Sequence, residues 1–474
     1  MNRNRKVIGL ALGLALTLPL AACGNNNGNN GEAGASSPAS SSAAPSASAP
    51  ASQPSGEKTK LTYMTGDRHD ADYIKGVIEK FNQTNQDNIE VELVVKTEEY
   101  DQAIDISFVS NQAPDIFRAK ENTIQTYYKK NYIEPLDAYL TDDLKGKFPQ
   151  LDQFNTFDGK MYSLPNYGST MRLVYNKDLF AKAGIAEPPK TIQEMVDAAK
   201  AITAVGKADG AYGFALNFKS PGSALGRSAR VIAEVSGIGG FGYDFKTGRY
   251  DFSGFKPIMD AFKQMKDDGS MLPGVESLDI DPLRAQFAEG KIGMYLSFSS
   301  EPGVYKNQFP AKMEWAAAPA PTIDGTVKGA SGFLGGQWLV MSAQSKNKDA
   351  AWKFMQYMYS DEVLTGYHEG GFGISMVPHI AKVAKAPEIN GIEGFLPTKI
   401  DGIWPLYPAV TVEGATHNDE FFKYMMQGGD FDALAKKLND LYNAALDKAK
   451  ANGEVKAEPM PDFDPAQLLG QFGE

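Results

Sequence analysis

Side chains that could catalyse a reaction are scarce in this chain. Its 474 residues include one cysteine and four histidines, and no two histidines stand at the helical spacing of a metal-binding pair. The glycine-rich stretch 237–242 fits a dinucleotide-binding pattern. Residues 243–248, however, are typical of a turn between two short strands, whereas a pyrophosphate needs a helix N-terminus at that point. We therefore predict no catalytic residue, no metal and no cofactor.

The single cysteine is the residue with the clearest chemistry. Cys23 follows Leu-Ala-Ala at 20–22, which matches the bacterial lipobox, whose cysteine thiol is diacylated. Before it, three basic residues precede an acid-free apolar run of 16 residues, 7–22, which is typical of a signal peptide and too short for the roughly 20 residues of a spanning helix. We predict that residues 1–22 are removed and that a lipid on Cys23 anchors the protein to the outer face of a bacterial membrane of the Gram-positive type.

The next segment and the charge balance set further bounds. Residues 24–56 consist of Asn, Gly, Ser, Ala and Pro apart from Gln53 and Glu32, the only charge, so we expect 23–57 to be a lipidated, disordered tether. The formal charge of −11 becomes −14 once the three basic residues of the leader are lost. This balance excludes the cationic surface that nucleic acid requires. We expect a protein that works at the cell surface as a monomer.

From Lys58 onward, strand-like and helix-like patterns alternate. Residues 61–64 read as a strand, 74–81 have the apolar spacing of a helix, and 89–95 alternate as a strand does. Thr191 and Glu194 form a capping box that opens a helix. The alternation favours α/β layers, and about 400 residues exceed one usual core, which favours two domains.

Several segments in a fixed order carry a resemblance to a known family. Taken together, from about residue 60 to about residue 441, they resemble the maltose-binding-protein-like family of extracellular solute-binding proteins, the capture subunits of ABC importers. The segments are Ala-Pro-Asp-Ile-Phe at 113–117, Asp-Gly-Lys-Met-Tyr-Ser-Leu-Pro at 158–165, Tyr-Asn-Lys-Asp-Leu-Phe at 175–180, Pro-Pro-Lys-Thr at 188–191 with Gly184 and Glu194, Phe-Ala-Glu-Gly-Lys-Ile-Gly-Met at 287–294, Gly-Gly at 335–336 and Ala-Ala-Trp-Lys-Phe at 350–354.

The resemblance implies an α/β, two-lobed periplasmic-binding-protein-like fold with hinge-crossing strands and a ligand in the cleft. By the same resemblance the chain crosses between lobes near Thr170, Pro321 and Tyr367. The implied division is 58–170 plus 321–366 for lobe 1, 171–320 plus 367–455 for lobe 2, and 456–474 for a C-terminal tail.

The resemblance also implies which residues hold the ligand. A sugar offers hydroxyl edges to charged side chains and apolar faces to aromatic rings. The candidates are Asp67, Arg68, Arg118, Glu121, Tyr167, Arg227, Glu301, Trp338, Trp404 and Tyr407. Three of them have a structural alternative: Asp67 as the cap of the next helix, Tyr167 as hinge packing, Trp338 as core of its strand. Arg118, Arg227 and Arg230 together allow an anionic ligand such as a uronate-bearing oligosaccharide, or are merely surface charge.

The function implied is capture of a small solute, an oligosaccharide, and its delivery to an ABC permease and its ATPase, without catalysis. Three alternatives stay open. The 58 acidic residues leave room for the carboxylate pair of a surface-anchored carbohydrate-active enzyme. The solute could be something other than a sugar. A structural or adhesion lipoprotein would have no ligand cleft.

Overall fold

The computed structural model describes residues 57–97, 99–120, 123–149, 151–385 and 387–472, with backbone only at Leu334 and Gln337. The predictions for the signal peptide, Cys23 and the tether therefore lie outside the described residues, except Glu57 at the tether's end. Among the helices of the described part, none combines the length and apolar composition that crossing a bilayer takes.

The strands are mostly short. They are β1 (Thr59–Thr65), β2 (Ile89–Val95), β3 (Ile116–Lys120), β4 (Thr156–Phe157), β5 (Lys160–Met161), β6 (Tyr167–Ser169), β7 (Met171–Asn176), β8 (Tyr212–Phe214), β9 (Tyr243–Asp244), β10 (Arg249–Tyr250), β11 (Ile292–Phe298), β12 (Trp315–Ala318), β13 (Ser331–Gly332), β14 (Leu334–Gly335), β15 (Gln337–Met341), β16 (Ile374–Ser375) and β17 (Asp401–Gly402).

The helices carry the apolar stripes seen in the sequence. They are α1 (Ala71–Thr84), α2 (Tyr100–Val109), α3 (Ile124–Lys129), α4 (Asp142–Lys147), α5 (Asp152–Asn155), α6 (Lys177–Lys182), α7 (Ile192–Gly206), α8 (Pro221–Arg227), α9 (Ala229–Val235), α10 (Lys256–Asp267), α11 (Ile280–Ala288), α12 (Glu301–Asn307), α13 (Lys348–Met358), α14 (Asp361–Glu369), α15 (Pro378–Val383), α16 (His417–Gln427) and α17 (Phe431–Ala451). In α7 the predicted capping box is present: the Thr191 side chain accepts from the Glu194 N–H while the Glu194 side chain reaches back.

Two sheets organise two cores. In the first, the strand order is β15-β3-β1-β2, with β1 parallel to β2 and β3 and with β15 antiparallel to β3. In the second, the order is β12-β7-β11-β8. By core membership, we define the first lobe as 57–169 plus 334–385 and the second lobe as 170–333 plus 387–472.

The chain passes between the lobes beside a small three-stranded sheet of order β14-β6-β16. β6 leads directly into β7 of the second lobe. A buried ion pair fixes the start of β7: the Arg172 guanidinium meets the Asp401 carboxylate at 2.7 and 2.8 Å, and the two residues are 1% and 0% exposed. Arg172 therefore connects β7 to β17, a strand of the second lobe that follows the last crossing in the chain.

The core memberships differ from the lobe boundaries implied by resemblance. Tyr367, Val377 and Ile380 lie in the first core, not in the second, because α14 and α15 pack back on the first sheet. Conversely, Ala320 and Ala330 lie in the second core, so the chain returns to the first lobe later than Pro321.

Two smaller predictions concern loops. The reading of 243–248 as a turn between short strands is confirmed, since β9 and β10 pair antiparallel with Arg249 opposite Asp244. The C-terminal segment after 455 is not a detached tail. Phe463 and Leu468 are buried in the second core, and the Phe472 ring lies 4.5 Å from that of Phe333 at the second crossing.

Candidate ligand-binding site

The ends of β1 and β3 place a buried arginine between two carboxylates. The strands are parallel, with Met64 opposite Phe117, so Arg118 lies beside the loop that carries Asp67 and Asp70. Arg118 Nη1 is 2.6 Å from Asp67 Oδ2 and 2.7 Å from Asp70 Oδ2. Arg118 is only 2% exposed, so in this structure its guanidinium holds the two carboxylates, and its direct contact with ligand stays a prediction.

Tyrosines complete this first-lobe cluster. The Tyr167 hydroxyl donates to Asp67 Oδ2 at 3.3 Å, and the Tyr367 hydroxyl donates to Asp70 Oδ2 at 3.0 Å. Tyr167 is buried, which fits its alternative reading as hinge packing. Burial alone would raise the pKa of Asp67, but the charge and hydrogen bond of Arg118, together with the charges of His69 and Lys120, hold that pKa below its ordinary value. Asp67 is therefore a fixed anion at neutral pH.

The same cluster has the spacing of a cation site. One ligand atom from each of Asp67, His69 and Asp70 lies within 4.8 Å of the others. His69 Nε2 is 3.0 Å from the Phe372 carbonyl oxygen. The Arg118 guanidinium already occupies the space between the two carboxylates, and a divalent ion would be repelled by it. We interpret the trio as part of an ion-pair cluster rather than as a metal site.

The second lobe has its own buried ion pair. Glu301 begins α12, and both its oxygens accept from Arg284 of α11, the shortest contact being 2.7 Å. Ser297 Oγ donates to the same carboxylate at 2.7 Å. Glu301 is 0% exposed. Burial raises its pKa, but Arg284, together with Ser297 and Arg227, lowers it by more, so the pKa lies below its ordinary value. The carboxylate of Glu301 is therefore paired within the protein in this structure, and its role as a ligand contact stays a prediction.

Arg227 ends α8 and lies beside this pair. Its guanidinium carbon is 4.6 Å from the centre of the Phe298 ring. Nη1 donates to Ser297 Oγ at 3.2 Å and Nε to Ser223 Oγ at 3.4 Å. Burial, together with the nearby charge of Arg284, lowers the pKa of Arg227 to about 10. The side chain still carries its charge at neutral pH.

An aromatic pocket opens where the lobes and the crossing segments meet. The pocket is lined by Phe154 from the first lobe and otherwise by residues of the second lobe. Arg230 lies on the face of Phe241, 4.4 Å from the ring centre, and its Nε donates to Glu234 at 2.7 Å. The mixture of aromatic rings with a few polar groups in this pocket is typical of small-molecule sites. The lining residues are Phe154, Arg230, Phe241, Gly332, Phe333, Ile403, Trp404, Pro405, Leu406 and Tyr407.

Trp404 and Tyr407 were both expected to hold ligand, and both line this pocket. Trp404 is 4% exposed, and its indole N–H donates to the Ala330 carbonyl at 2.8 Å, so it forms a wall rather than an open platform. The Tyr407 hydroxyl accepts from the Gly240 N–H at 3.0 Å. Tyr407 is half-buried, which leaves part of its surface toward the pocket.

Arg68 contacts the opposite lobe. Its guanidinium forms an ion pair with Asp281 at the start of α11, and its Nη2 donates to Thr97 Oγ1 at 2.6 Å. Nearby, Gln308 Nε2 donates to the His69 carbonyl at 3.0 Å. The loop after β1 therefore touches the second lobe through side chains that face the junction.

The remaining predicted contacts fall elsewhere. Trp338 is 1% exposed, and its indole N–H donates to the Tyr167 carbonyl at 3.1 Å. It is therefore a core residue, as its alternative reading held. Glu121 lies outside the described residues.

Sequence reasoning missed two aromatic residues at the junction. Phe298 is the last residue of β11 and is not among the predicted contacts. Phe154 belongs to the short helix α5 and has no periodic pattern to mark it.

The sequence of this chain is similar to those of known binding proteins. The chain is 30% identical over 246 residues to a Brucella abortus protein named as a binding protein, covering 50% of this chain and 56% of that protein. It is 26% identical over 310 residues to the maltotriose-binding protein of Pyrococcus abyssi, covering 64% and 62%. The chain thus spans just over half the length of the first of these relatives.

A solved structure shows the same architecture. RafE of Streptococcus pneumoniae, in complex with raffinose, matches with a TM-score of 0.65 over 82% of this chain and 100% of that one. At 18% identity this likeness concerns the fold alone. It confirms the predicted α/β, two-lobed periplasmic-binding-protein-like fold.

A two-lobed molecule with charged and aromatic side chains at the junction of the lobes has the form of a solute-binding protein. The family described as "Bacterial extracellular solute-binding protein" matches residues 65–364, and the chain belongs to this family. The resemblance noted in the sequence is thereby confirmed. Because it is a family of binding proteins, membership also supports the prediction that the chain is not an enzyme.

Proposed function

We propose that this protein captures an oligosaccharide between its lobes and delivers it to an ABC-type importer. The observation that carries the proposal is the aromatic pocket at the lobe junction. Its rings offer faces for the C–H surfaces of a sugar, and Arg230 offers hydrogen-bond donors for hydroxyl edges. The maltotriose-binding relative and the raffinose-bound neighbour support the same ligand class.

Delivery requires that a transporter distinguish the loaded from the empty protein. Two lobes with separate cores and three connecting passages have the form of a hinge-closure protein, in which ligand favours the closed arrangement. The contacts of Arg68 with Asp281 and of Gln308 with the first lobe are the ones that such a motion would make and break. Attachment to the membrane through Cys23 would keep the protein beside its permease. On this proposal, Cys23→Ser should move the protein from the membrane fraction into the medium, and unchanged fractionation would remove the anchor.

The test is ligand-dependent stability. Maltotriose, raffinose, trigalacturonate and sn-glycerol 3-phosphate are each added to the purified full-length protein while its thermal unfolding is followed. A true ligand at a hundredfold excess over its Kd should stabilise the folded state by about 2.7 kcal/mol. A protein that responds to none of these solutes would contradict the proposal.

A pair of variants locates the response. Phe241→Ala removes the ring on which Arg230 lies and should weaken the responding ligand at least tenfold. Phe422→Ala is the matched control, because Phe422 is a half-buried phenylalanine of the second lobe that packs on Phe218. The control should lower stability without changing the ligand response. Equal loss of binding in both variants would place the site elsewhere.

A further inference from the structure

Most arginines near the lobe junction have a carboxylate partner within the protein. The pairs are Arg68 with Asp281, Arg118 with Asp67 and Asp70, Arg230 with Glu234, and Arg284 with Glu301 and Asp281. Pairing of this kind is what partial burial of a guanidinium requires, because an unpaired buried charge is costly.

Arg227 is different. Among the residues that the structure describes, no carboxylate lies within 4 Å of its guanidinium, and its hydrogen bonds go to two serine hydroxyls at 3.2 and 3.4 Å. A guanidinium has five N–H donors. Its nearest carboxylate neighbour, Glu301, has its oxygens engaged by Arg284 and Ser297.

Arg227 lies at the edge of the second lobe, close to the first crossing. Its guanidinium lies on Phe298, the last residue of β11. Phe298 stands opposite Met171, the first residue of β7, and β7 begins immediately after the first crossing. Arg227 and Phe298 are both half-buried, so the pair lies at the edge of the second lobe that faces the crossing and is partly open to solvent.

We propose that Arg227 is an anion subsite of the ligand site, which receives a carboxylate or phosphate group of the bound solute. The inference rests on the proposed function, because it assigns a charged group to the ligand that the cleft captures. Ser223 and Ser297 hold the guanidinium at two of its nitrogens and Phe298 supports one face. The remaining donors can then form charge-assisted hydrogen bonds to an oxyanion.

The surrounding charges favour an anion at this point. Arg227, Arg284 and Arg68 are positive, while Glu301 and Asp281 are negative, so this group has one positive charge in excess. An anionic group on the ligand would restore the balance. It would also relieve the repulsion between Arg227 and Arg284, which lowers the pKa of Arg227. A neutral sugar would do neither.

The experiment compares acidic and neutral solutes on the full-length protein and on two variants. Trigalacturonate presents carboxylates, sn-glycerol 3-phosphate presents a phosphate, and maltotriose and raffinose are neutral. Arg227→Gln removes the charge of the subsite. Arg249→Gln is the matched control, because Arg249 of β10 pairs at the surface with Asp447 of α17, their side chains being 43% and 58% exposed, and not at the junction.

The inference predicts that at least one acidic solute binds the wild-type protein. Arg227→Gln should weaken that binding by roughly 10- to 100-fold, the loss of one or two charge-assisted hydrogen bonds, and should reduce its dependence on salt. Arg249→Gln should leave the affinity unchanged. Binding of trigalacturonate identifies a uronate ligand, and binding of sn-glycerol 3-phosphate identifies a phosphate ester.

Different outcomes separate this inference from the proposed function. If only maltotriose or raffinose binds, the proposed function stands and the anion subsite is overturned. If an acidic solute binds equally to wild type and to Arg227→Gln, the subsite is also overturned. If no solute binds, the proposed function fails and the subsite fails with it.

Discussion

Each lobe buries a cluster of charges at the junction, and the two clusters are balanced in opposite ways. In the first lobe, one arginine, Arg118, lies between Asp67 and Asp70, so negative charge is in excess. In the second lobe, Arg284 and Arg227 lie near Glu301 and Asp281, and Arg68 of the first lobe pairs with the same Asp281, so one positive charge is in excess there. The two clusters therefore contain the same kinds of side chain but differ in the sign of the charge that is left to attract a ligand.

The two arginines of these clusters that we compare, Arg118 and Arg227, differ in how fully the protein itself provides their partners. Arg118 has both carboxylates and the Tyr63 hydroxyl as partners, at 2.6 to 2.7 Å, and it holds the end of β3 against the loop after β1. Arg227 has only hydroxyl partners at 3.2 Å or more. A charge that the fold satisfies stabilises the fold, whereas a charge that the fold leaves unsatisfied is available to a guest.

Removing the satisfied arginine should have the largest effect. Arg118→Met would leave Asp67 and Asp70 buried side by side without their cation. We expect the free energy of unfolding to fall by about 4 kcal/mol, the usual cost of breaking a buried ion pair from one side. Urea denaturation of the variant and the wild type measures the difference.

The control for Arg118→Met is Lys130→Met. Lys130 pairs with Asp105 at 2.6 Å, but the two side chains are 40% and 41% exposed, and such surface pairs contribute at most about 1 kcal/mol. Similar losses in the two variants would show that burial does not distinguish the first-lobe cluster from an ordinary surface pair.

Acid should weaken the first-lobe cluster next. The pKa of Asp67 in the folded state lies below its ordinary value despite burial, because Arg118 stabilises the carboxylate. The unfolded chain therefore binds a proton first as the pH falls. The stabilisation is complete above the ordinary aspartate range, near pH 4, and is lost as the pH falls through the folded-state pKa.

Asp67→Asn isolates this contribution. The free energy of unfolding of the wild type should fall more steeply below about pH 4 than that of the variant, when both are measured in urea at several pH values. Glu234 should respond to acid in the opposite direction, since burial raises its pKa more than Arg230 lowers it. The free energy of unfolding of Glu234→Gln should therefore fall more steeply with falling pH than that of the wild type. Parallel pH profiles for wild type and Asp67→Asn would remove Asp67 from the acid response.

The sequence predicted the architecture better than the contacts. Regular apolar spacing in α1 and the capping box of α7 depend on neighbours within a few residues, so they could be predicted from the chain alone. The roles of Arg118 and Glu301 could not be predicted in this way. Each depends on a partner far along the chain, Arg118 on Asp67 51 residues before it and Glu301 on Arg284 17 residues before it.

Exposure was the other quantity that sequence could not supply. Tryptophan is a residue type that stacks on sugar rings, which made Trp338 and Trp404 candidates. Both, however, donate their indole N–H to backbone carbonyls and are nearly buried. Phe298, which is half-buried, had no feature to distinguish it from a core residue of β11. Burial of a ring depends on the packing of several distant segments, so residue type alone is a weak guide.

The smallest expected change in stability, that of Arg227→Gln, is also the best test of the comparison. This variant should raise the free energy of unfolding, whereas Arg118→Met should lower it. Arg227→Gln removes a charge that burial and Arg284 disfavour, as the lowered pKa of about 10 shows. The loss of its bonds to Ser223 and Ser297 and of its contact with Phe298 offsets part of the gain. We expect the ligand-free protein to become more stable by about 1 kcal/mol, measured by urea denaturation beside Arg118→Met. A clear loss of stability would instead mean that the fold needs Arg227 as it needs Arg118, and the distinction between a satisfied and an available arginine would not hold.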